Sequence, residues 1–190
     1  MEKEVYTIAL LDDDKDLLAL TGGSLRKQGY KVVAYENGVD FLTAIKKGAI
    51  NPSAIITDVD MPFKSGVETI SDLAKFHDLS ETPVLFLTGV TDDLTINAAF
   101  ENNINHIYYM LKPVNYMLLN MTMFKMILSR NYLRSIKSTN KKLVKVIRQL
   151  QDEKKNAENK YEHTYEEFLE RQKKLIDHLT DIHMELEKFK

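Results

Sequence analysis

Short apolar runs alternate with amphipathic stretches along the first two thirds of this chain, and the alternation stops after Pro113. The runs are YTIALL (6–11), VVAY (32–35), AIIT (54–57), VLFLT (84–88) and HIYYML (106–111). Apolar runs of that length, bounded by turn residues, predict buried strands. Between them, apolar positions recur at helical spacing over about 15–28, 39–47, 65–76 and 92–102, and a further helix begins after Pro113. Gly29 and Gly48 close the first two helices, because glycine readily takes the left-handed conformation that follows a helix end. Strands alternating with helices predict crossover units, hence a parallel sheet with helices on both faces. Five such units make one three-layer α/β domain.

Beyond Pro113 the pattern changes. All seven glycines lie at or before Gly89, so the last 77 residues hold neither glycine nor proline. Helix interiors exclude both residue types, and a long helix is expected. An apolar series runs through it: Leu133, Ile136, Asn140, Leu143, Ile147, Leu150, Lys154, Ala157, Tyr161, Tyr165, Phe168, Gln172, Leu175, Leu179, Ile182, Leu186 and Phe189. Steps of three and four alternate, with one extra step of four at Tyr161–Tyr165. That is a coiled-coil seam with a single stutter. Such a helix has no core of its own. A parallel homodimer through 133–189 is expected, the alternative being a hairpin folded back on the first domain.

Composition narrows the classes. There is no cysteine, which excludes disulfides and thiolate metal sites. The N-terminus has no basic segment followed by a long apolar one, so no signal peptide or membrane span is read, and a cytoplasmic location is expected. Net charge is −5 over 1–130 and +3 over 131–190. The acid-free stretch of Arg134, Lys137, Lys141, Lys142, Lys145 and Arg148 reads as a solvated helical face, with no nucleic-acid or membrane partner expected.

The candidate chemistry lies at the ends of the strands. Asp12 and Asp13 follow the first, Asp58 the third, Thr88 ends the fourth and Lys112 follows the fifth. In such sheets ligands bind beyond the carboxyl ends of the strands, so these groups converge. At an effective dielectric near 20, two carboxylates about 4 Å apart repel by roughly 4 kcal/mol, which calls for a cation. Hard oxygen ligands without histidine or cysteine favour Mg²⁺ or Mn²⁺ over zinc.

These motifs carry a resemblance. The DD pair, D-x-D-M-P at 58–62, L-T-G at 87–89 and K-P at 112–113 occur in order and at the right spacing, so residues 5–128 resemble the receiver domain of two-component response regulators. The resemblance implies a flavodoxin-like five-stranded sheet of order 2-1-3-4-5, a receiver at 1–128 and a helical stalk at 129–190. It implies that Asp58 accepts a phosphoryl group from a histidine kinase or phosphotransfer protein. Asp13 would ligate the metal directly, Asp12 partly through water, and Asp60 through its backbone carbonyl. Lys112 and Thr88 would bind phosphoryl oxygens, Tyr109 would switch rotamer with Thr88, and Lys112–Pro113 would be cis. The protein would be a phosphoacceptor and not an enzyme.

The chain departs from the common pattern at Gly89, where alanine is usual, and at Asn102–Asn103 and Asn105–His106, where a glycine–alanine turn is usual. Asp60 and Val90 occupy variable flanking positions. Two other readings stay open: a receiver-bearing adaptor, and a regulator whose effector domain lies beyond Lys190. No helix-turn-helix pattern fits 131–190. His163, His178 and His183 lack the flanking pattern of a kinase phosphoacceptor and read as surface residues.

Overall fold

The computed structural model describes residues 5–89 and 106–187. The helix expected at about 92–102 lies outside the described residues, as do Val90 and the asparagines at 102, 103 and 105. Five strands are present: β1 (Thr7–Leu11), β2 (Lys31–Tyr35), β3 (Ala54–Asp58), β4 (Val84–Thr88) and β5 (Ile107–Leu111). Four described helices are α1 (Lys15–Lys27), α2 (Gly38–Lys46), α3 (Gly66–Ala74) and α4 (Tyr116–Glu187). All pairings are parallel, and the strand order is β2-β1-β3-β4-β5.

Strand alternation divides the core into two layers. Ala9 and Leu11 on β1, Ile55 on β3 and Phe86 on β4 pack with Phe41 of α2 and Ile70 of α3. Their neighbours Ile8, Leu10, Ile56, Leu85 and Leu87 point the other way, onto Leu18 and Leu25 of α1 and Leu119, Met123 and Met126 of α4. A period of two thus presents apolar side chains to both faces, which is why the runs read as continuous rather than alternating. Tyr108 and Tyr109 fall on opposite faces for the same reason.

The helix ends are set by short polar devices. Asp14 caps α1, accepting from the backbone N–H of Asp16 at 2.9 Å and of Leu17 at 3.1 Å. Asn37 caps α2, accepting from Asp40 N–H at 2.8 Å. Ser65 and Glu68 form a reciprocal capping box on α3. The predicted stops are in place: Gly29 has φ +90° and Gly48 φ +67°.

The chain forms two compact units, Met1–Lys137 and Ser138–Lys190. Within the first, α4 is tied down beyond its buried apolar residues. Asn131 donates to the Tyr6 hydroxyl at 2.7 Å, and Lys137 pairs with Asp78 at 2.8 Å and Glu81 at 3.2 Å. In the second unit every side chain described is exposed, including Leu143, Ile147, Leu150, Phe168, Leu175 and Leu179 of the apolar series. Pairs one turn apart, Lys154–Glu158, His163–Glu167 and Glu170–Lys174, lie along it, and Tyr161 stacks on Tyr165 with ring centres 6.5 Å apart. Among the described residues no helix is long and apolar enough to cross a membrane.

Candidate phosphoacceptor site

The carboxyl ends of β1, β3 and β5 bring the predicted groups together. Asp12, one residue past β1, is buried, and its Oδ1 accepts from the backbone N–H of Asp14 at 2.9 Å. Asp58 ends β3 and is buried as well. Lys112, one residue past β5, inserts its Nζ between them, 3.0 Å from Asp12 Oδ2 and 2.9 Å from Asp58 Oδ2. Asp13 is exposed at the rim. One carboxylate oxygen from each of Asp12, Asp13 and Asp58 lies within 4.8 Å of the others. This all-oxygen carboxylate pocket suits a divalent cation.

Each group is fixed by its backbone. Asp12 N–H donates to Tyr35 O at 3.2 Å, anchoring the β1 end to β2. Lys112 N–H donates to Thr88 O at 2.8 Å, tying the β5 end to the β4 end. The Lys112–Pro113 peptide is cis, as the resemblance implied. Thr88 is the last residue of β4 and is buried. Tyr109 is half-buried, its ring stacked on Phe86 with centres 5.6 Å apart and planes 20° apart. Thr88 and Tyr109 therefore sit on neighbouring strands, Phe86 pairing directly with Tyr109.

Burial and charge compete at the centre. Burial pushes the Asp58 carboxyl above its ordinary value and Asp12 adds repulsion, outweighing the hydrogen bond and charge of Lys112 and a hydrogen bond from the Asp60 backbone. Burial pulls Lys112 down, but its bonds to Asp58 and Asp12 win and hold it above the ordinary lysine value. One ammonium thus serves two buried carboxylates, and the site retains an excess of negative charge. Among the described residues that is the signature of a pocket built for added positive charge.

Asp60 is exposed and its side chain is not one of the three clustered carboxylates; its hydrogen bond to Asp58 comes from the backbone. Asp14 is likewise outside the cluster, occupied in capping α1. Sequence reasoning passed over two residues here. Gly66 starts α3 so close to β3 that a side chain would strike the Asp58 carbonyl. Its signal was the glycine closing DMPFKSG. Phe63 is fully exposed with φ +66°, and nothing in the sequence marks an aromatic residue for that conformation.

Comparison with known proteins gives a consistent result. Residues 8–124 match the response regulator receiver domain family. Protein RcaC of Microchaete diplosiphon is 35% identical over 107 residues, covering 56% of this chain and 16% of RcaC. The uncharacterized transcriptional regulatory protein YvcP of Bacillus subtilis is 29% identical over 128 residues, covering 67% of this chain and 51% of YvcP. Transcriptional regulatory protein CpxR of Escherichia coli is 30% identical over 108 residues, covering 57% of this chain and 43% of CpxR. The chain thus spans about half or less of these relatives. Among solved structures, a response regulator receiver domain from Clostridium thermocellum superposes with a TM-score of 0.60 at 25% identity, covering 68% of this chain and 99% of that one. One from Methanospirillum hungatei, at 19% identity and TM-score 0.61, covers 68% of this chain and 98% of that one, and shares the fold.

Proposed function

Because this chain belongs to the response regulator receiver family, we propose that it is a two-component response regulator that accepts a phosphoryl group on Asp58 from a histidine kinase or a phosphotransfer protein. The observation that carries the reading is Lys112 Nζ held between Asp12 and Asp58 at 3.0 and 2.9 Å, in a pocket with a third carboxylate at its rim.

The residues divide the work. A carboxylate oxygen of Asp58 attacks phosphorus, and the bond from phosphorus to the donor's histidine nitrogen, or to the acyl oxygen of a small acyl phosphate, breaks with its electron pair. The product is an aspartyl phosphate. Lys112 leaves its carboxylate pairing to bind a phosphoryl oxygen, and Thr88 donates to another. Mg²⁺, or Mn²⁺ in its place, would be held by Asp12, Asp13, Asp58 and the Asp60 carbonyl, and when bound it neutralises charge on the transferring group. Catalysis here is positioning and charge neutralisation.

Transfer adds nearly two negative charges beside Thr88. Thr88 turns toward them, and Tyr109 on the adjacent strand moves into the space released. The signal leaves through the helical tail, whose apolar series holds two chains in a parallel pair. YvcP and CpxR are transcriptional regulatory proteins, but this chain spans only about half of each, and its tail is read as a dimerising output element acting in the cytoplasm.

The test is direct. Acetyl phosphate with Mg²⁺ should add one phosphoryl mass to the full chain, and Asp58→Asn should add none. Full labelling of that variant at another residue overturns the assignment.

A further inference from the structure

We propose that the basic side of the tail helix from Lys141 to Arg148 binds the phosphate backbone of double-stranded nucleic acid. The surface lies wholly within the second unit and is independent of the phosphoacceptor site.

Charge is arranged in two different ways along this helix. No acidic residue occurs between Glu101 and Asp152, and that interval holds nine lysines and arginines. From Asp152 to Lys190, eleven acids accompany eight lysines and arginines. A solvated helix is normally laced by opposite charges one turn apart. The later part follows that rule, with Lys154 on Glu158 at 3.6 Å and Lys174 on Glu170 at 3.0 Å. Earlier in the chain, Arg134 and Lys137 have Glu81 and Asp78 as partners. Lys141, Lys142, Lys145 and Arg148 fall between these two sets. All four are exposed, and among the described residues no carboxylate pairs with them. Lys145 lies three residues from Lys142 and four from Lys141, spacings at which like charges repel. The solvated face expected from the sequence explains the exposure and leaves that repulsion without compensation.

Spacing and chemistry select the partner. Lys141, Lys145 and Arg148 follow one another by four and three residues and border one surface with Asn140 and Val144, which Lys142 flanks. Asp152, one turn beyond Arg148, ends the stripe. From Lys141 to Arg148 the helix rises about 10 Å, and a duplex carries one phosphate charge per about 1.7 Å of its axis. A row of cations that dense matches a polyanion better than a single carboxylate. No aromatic residue occurs between Tyr132 and Tyr161, so the surface has no platform on which unpaired bases could stack. That favours a duplex held by its backbone. A helix lying on a membrane buries its apolar side in lipid. Here that side, with Leu143, Ile147 and Leu150, is opposite the stripe and is read as the seam of the pair. The choice of nucleic acid over lipid rests on that reading, because pairing covers the apolar side and leaves the basic side of both copies free.

The test is fluorescence anisotropy of a labelled, mixed-sequence DNA duplex titrated with the full chain at about 50 mM and about 200 mM salt. Four cations of one chain on phosphate predict a log–log salt slope of about −3.6, a loss of about a hundredfold in affinity over that range. Lys141→Gln, Lys145→Gln and Arg148→Gln together should cut the slope to about −1 and weaken binding about tenfold or more at the lower salt. Lys154→Gln, Lys155→Gln and Lys160→Gln make the same change in net charge elsewhere on the helix and should leave binding within about twofold. Glutamine is compatible with a helix. Lys141→Arg with Lys145→Arg keeps the charge and should bind as the wild type does. The proposal is overturned by absence of duplex binding at the lower salt, by an equal loss in both triple variants, or by a loss in the arginine variant, which would make the effect structural. Tighter binding to vesicles rich in phosphatidylglycerol than to the duplex assigns the surface to lipid and overturns it as well.

Discussion

Gly66 rests directly on the backbone of Asp58: a Cβ at position 66 would lie 2.0 Å from the Asp58 carbonyl oxygen and 2.8 Å from Thr57 Oγ1. Real side chains do not approach that closely, and the obstacle is mainly backbone. Thr57 Oγ1 already donates to the same carbonyl at 3.0 Å, and Gly66 N–H donates to Val59 O at 2.9 Å. The start of α3 is thus seated on the strand end that presents the phosphoacceptor.

Gly66→Ala should therefore cost about 1–3 kcal/mol through overpacking and should slow phosphorylation by displacing Asp58. Gly23→Ala is the matched control. Position 23 is in α1, and a Cβ there meets nothing within 4 Å, so alanine should stabilise by about 1 kcal/mol. Urea unfolding of both variants checks the two signs, and acetyl phosphate labelling separates displacement of Asp58 from simple loss of fold.

Asp58 is held above its ordinary carboxylate value by burial and by Asp12, so its charged form opposes folding. The sign follows from linkage: above the raised value the wild type carries the full cost, and below the unfolded value it carries none. Asp58→Asn should then be more stable than wild type at neutral pH without divalent cation, by about 0.5–2 kcal/mol. The difference should close as pH falls through the raised Asp58 value. Mg²⁺ should stabilise the wild type more than the variant, since a ligand of the folded state adds its binding energy. Thermal melts from neutral to acidic pH, with and without Mg²⁺, measure all three effects.

The sheet was legible because its strands are buried on both faces. Such strands read as unbroken apolar runs, and each one ended where a charged or hydroxyl residue appeared. The site was legible for the same reason: strand ends converge, so Asp12, Asp58 and Lys112 could be placed together from spacing alone. What spacing does not encode is division of labour within an acidic run. Asp12, Asp13 and Asp14 are adjacent, yet Asp12 is buried on Lys112, Asp13 stands at the rim and Asp14 caps α1. The turn into the helix decides that, not composition. The root of α4 was harder still. Asn131, Arg134 and Lys137 look like solvated helix residues, but they bond to Tyr6, Glu81 and Asp78, partners remote in sequence.

Lys112 offsets two buried carboxylates at once. Lys112→Met leaves Asp12 and Asp58 without their shared cation, and uncompensated buried charge costs about 3 kcal/mol or more. The variant should be markedly destabilised at neutral pH and should recover in part with Mg²⁺ or as the pH is lowered, because either removes the excess negative charge. Phosphorylation should stay low even where the fold is restored. Recovery of both stability and labelling with Mg²⁺ would make Lys112 a structural counter-ion alone. Urea titrations across pH, paired with labelling by acetyl phosphate, make the separation.

The tail supplies the last expectation. Leu175 and Leu179 are more than half exposed within the second unit, four residues apart on one side of the helix, and water is a poor environment for two leucines of the apolar series. Paired burial of such side chains is worth roughly 1.5–3 kcal/mol each before entropy is subtracted. The full chain should sediment as a dimer at micromolar concentration, and Leu175→Asp with Leu179→Asp should shift it to monomer, because burying a charge in the seam is costly. The i,i+4 pairs Lys154–Glu158 and Glu170–Lys174 support the single helix and are weak, exposed interactions. Raised salt should therefore leave the dimer almost unchanged. A full chain that sediments as a compact monomer in low and high salt points instead to a tail folded back on the receiver, with phosphorylation releasing it.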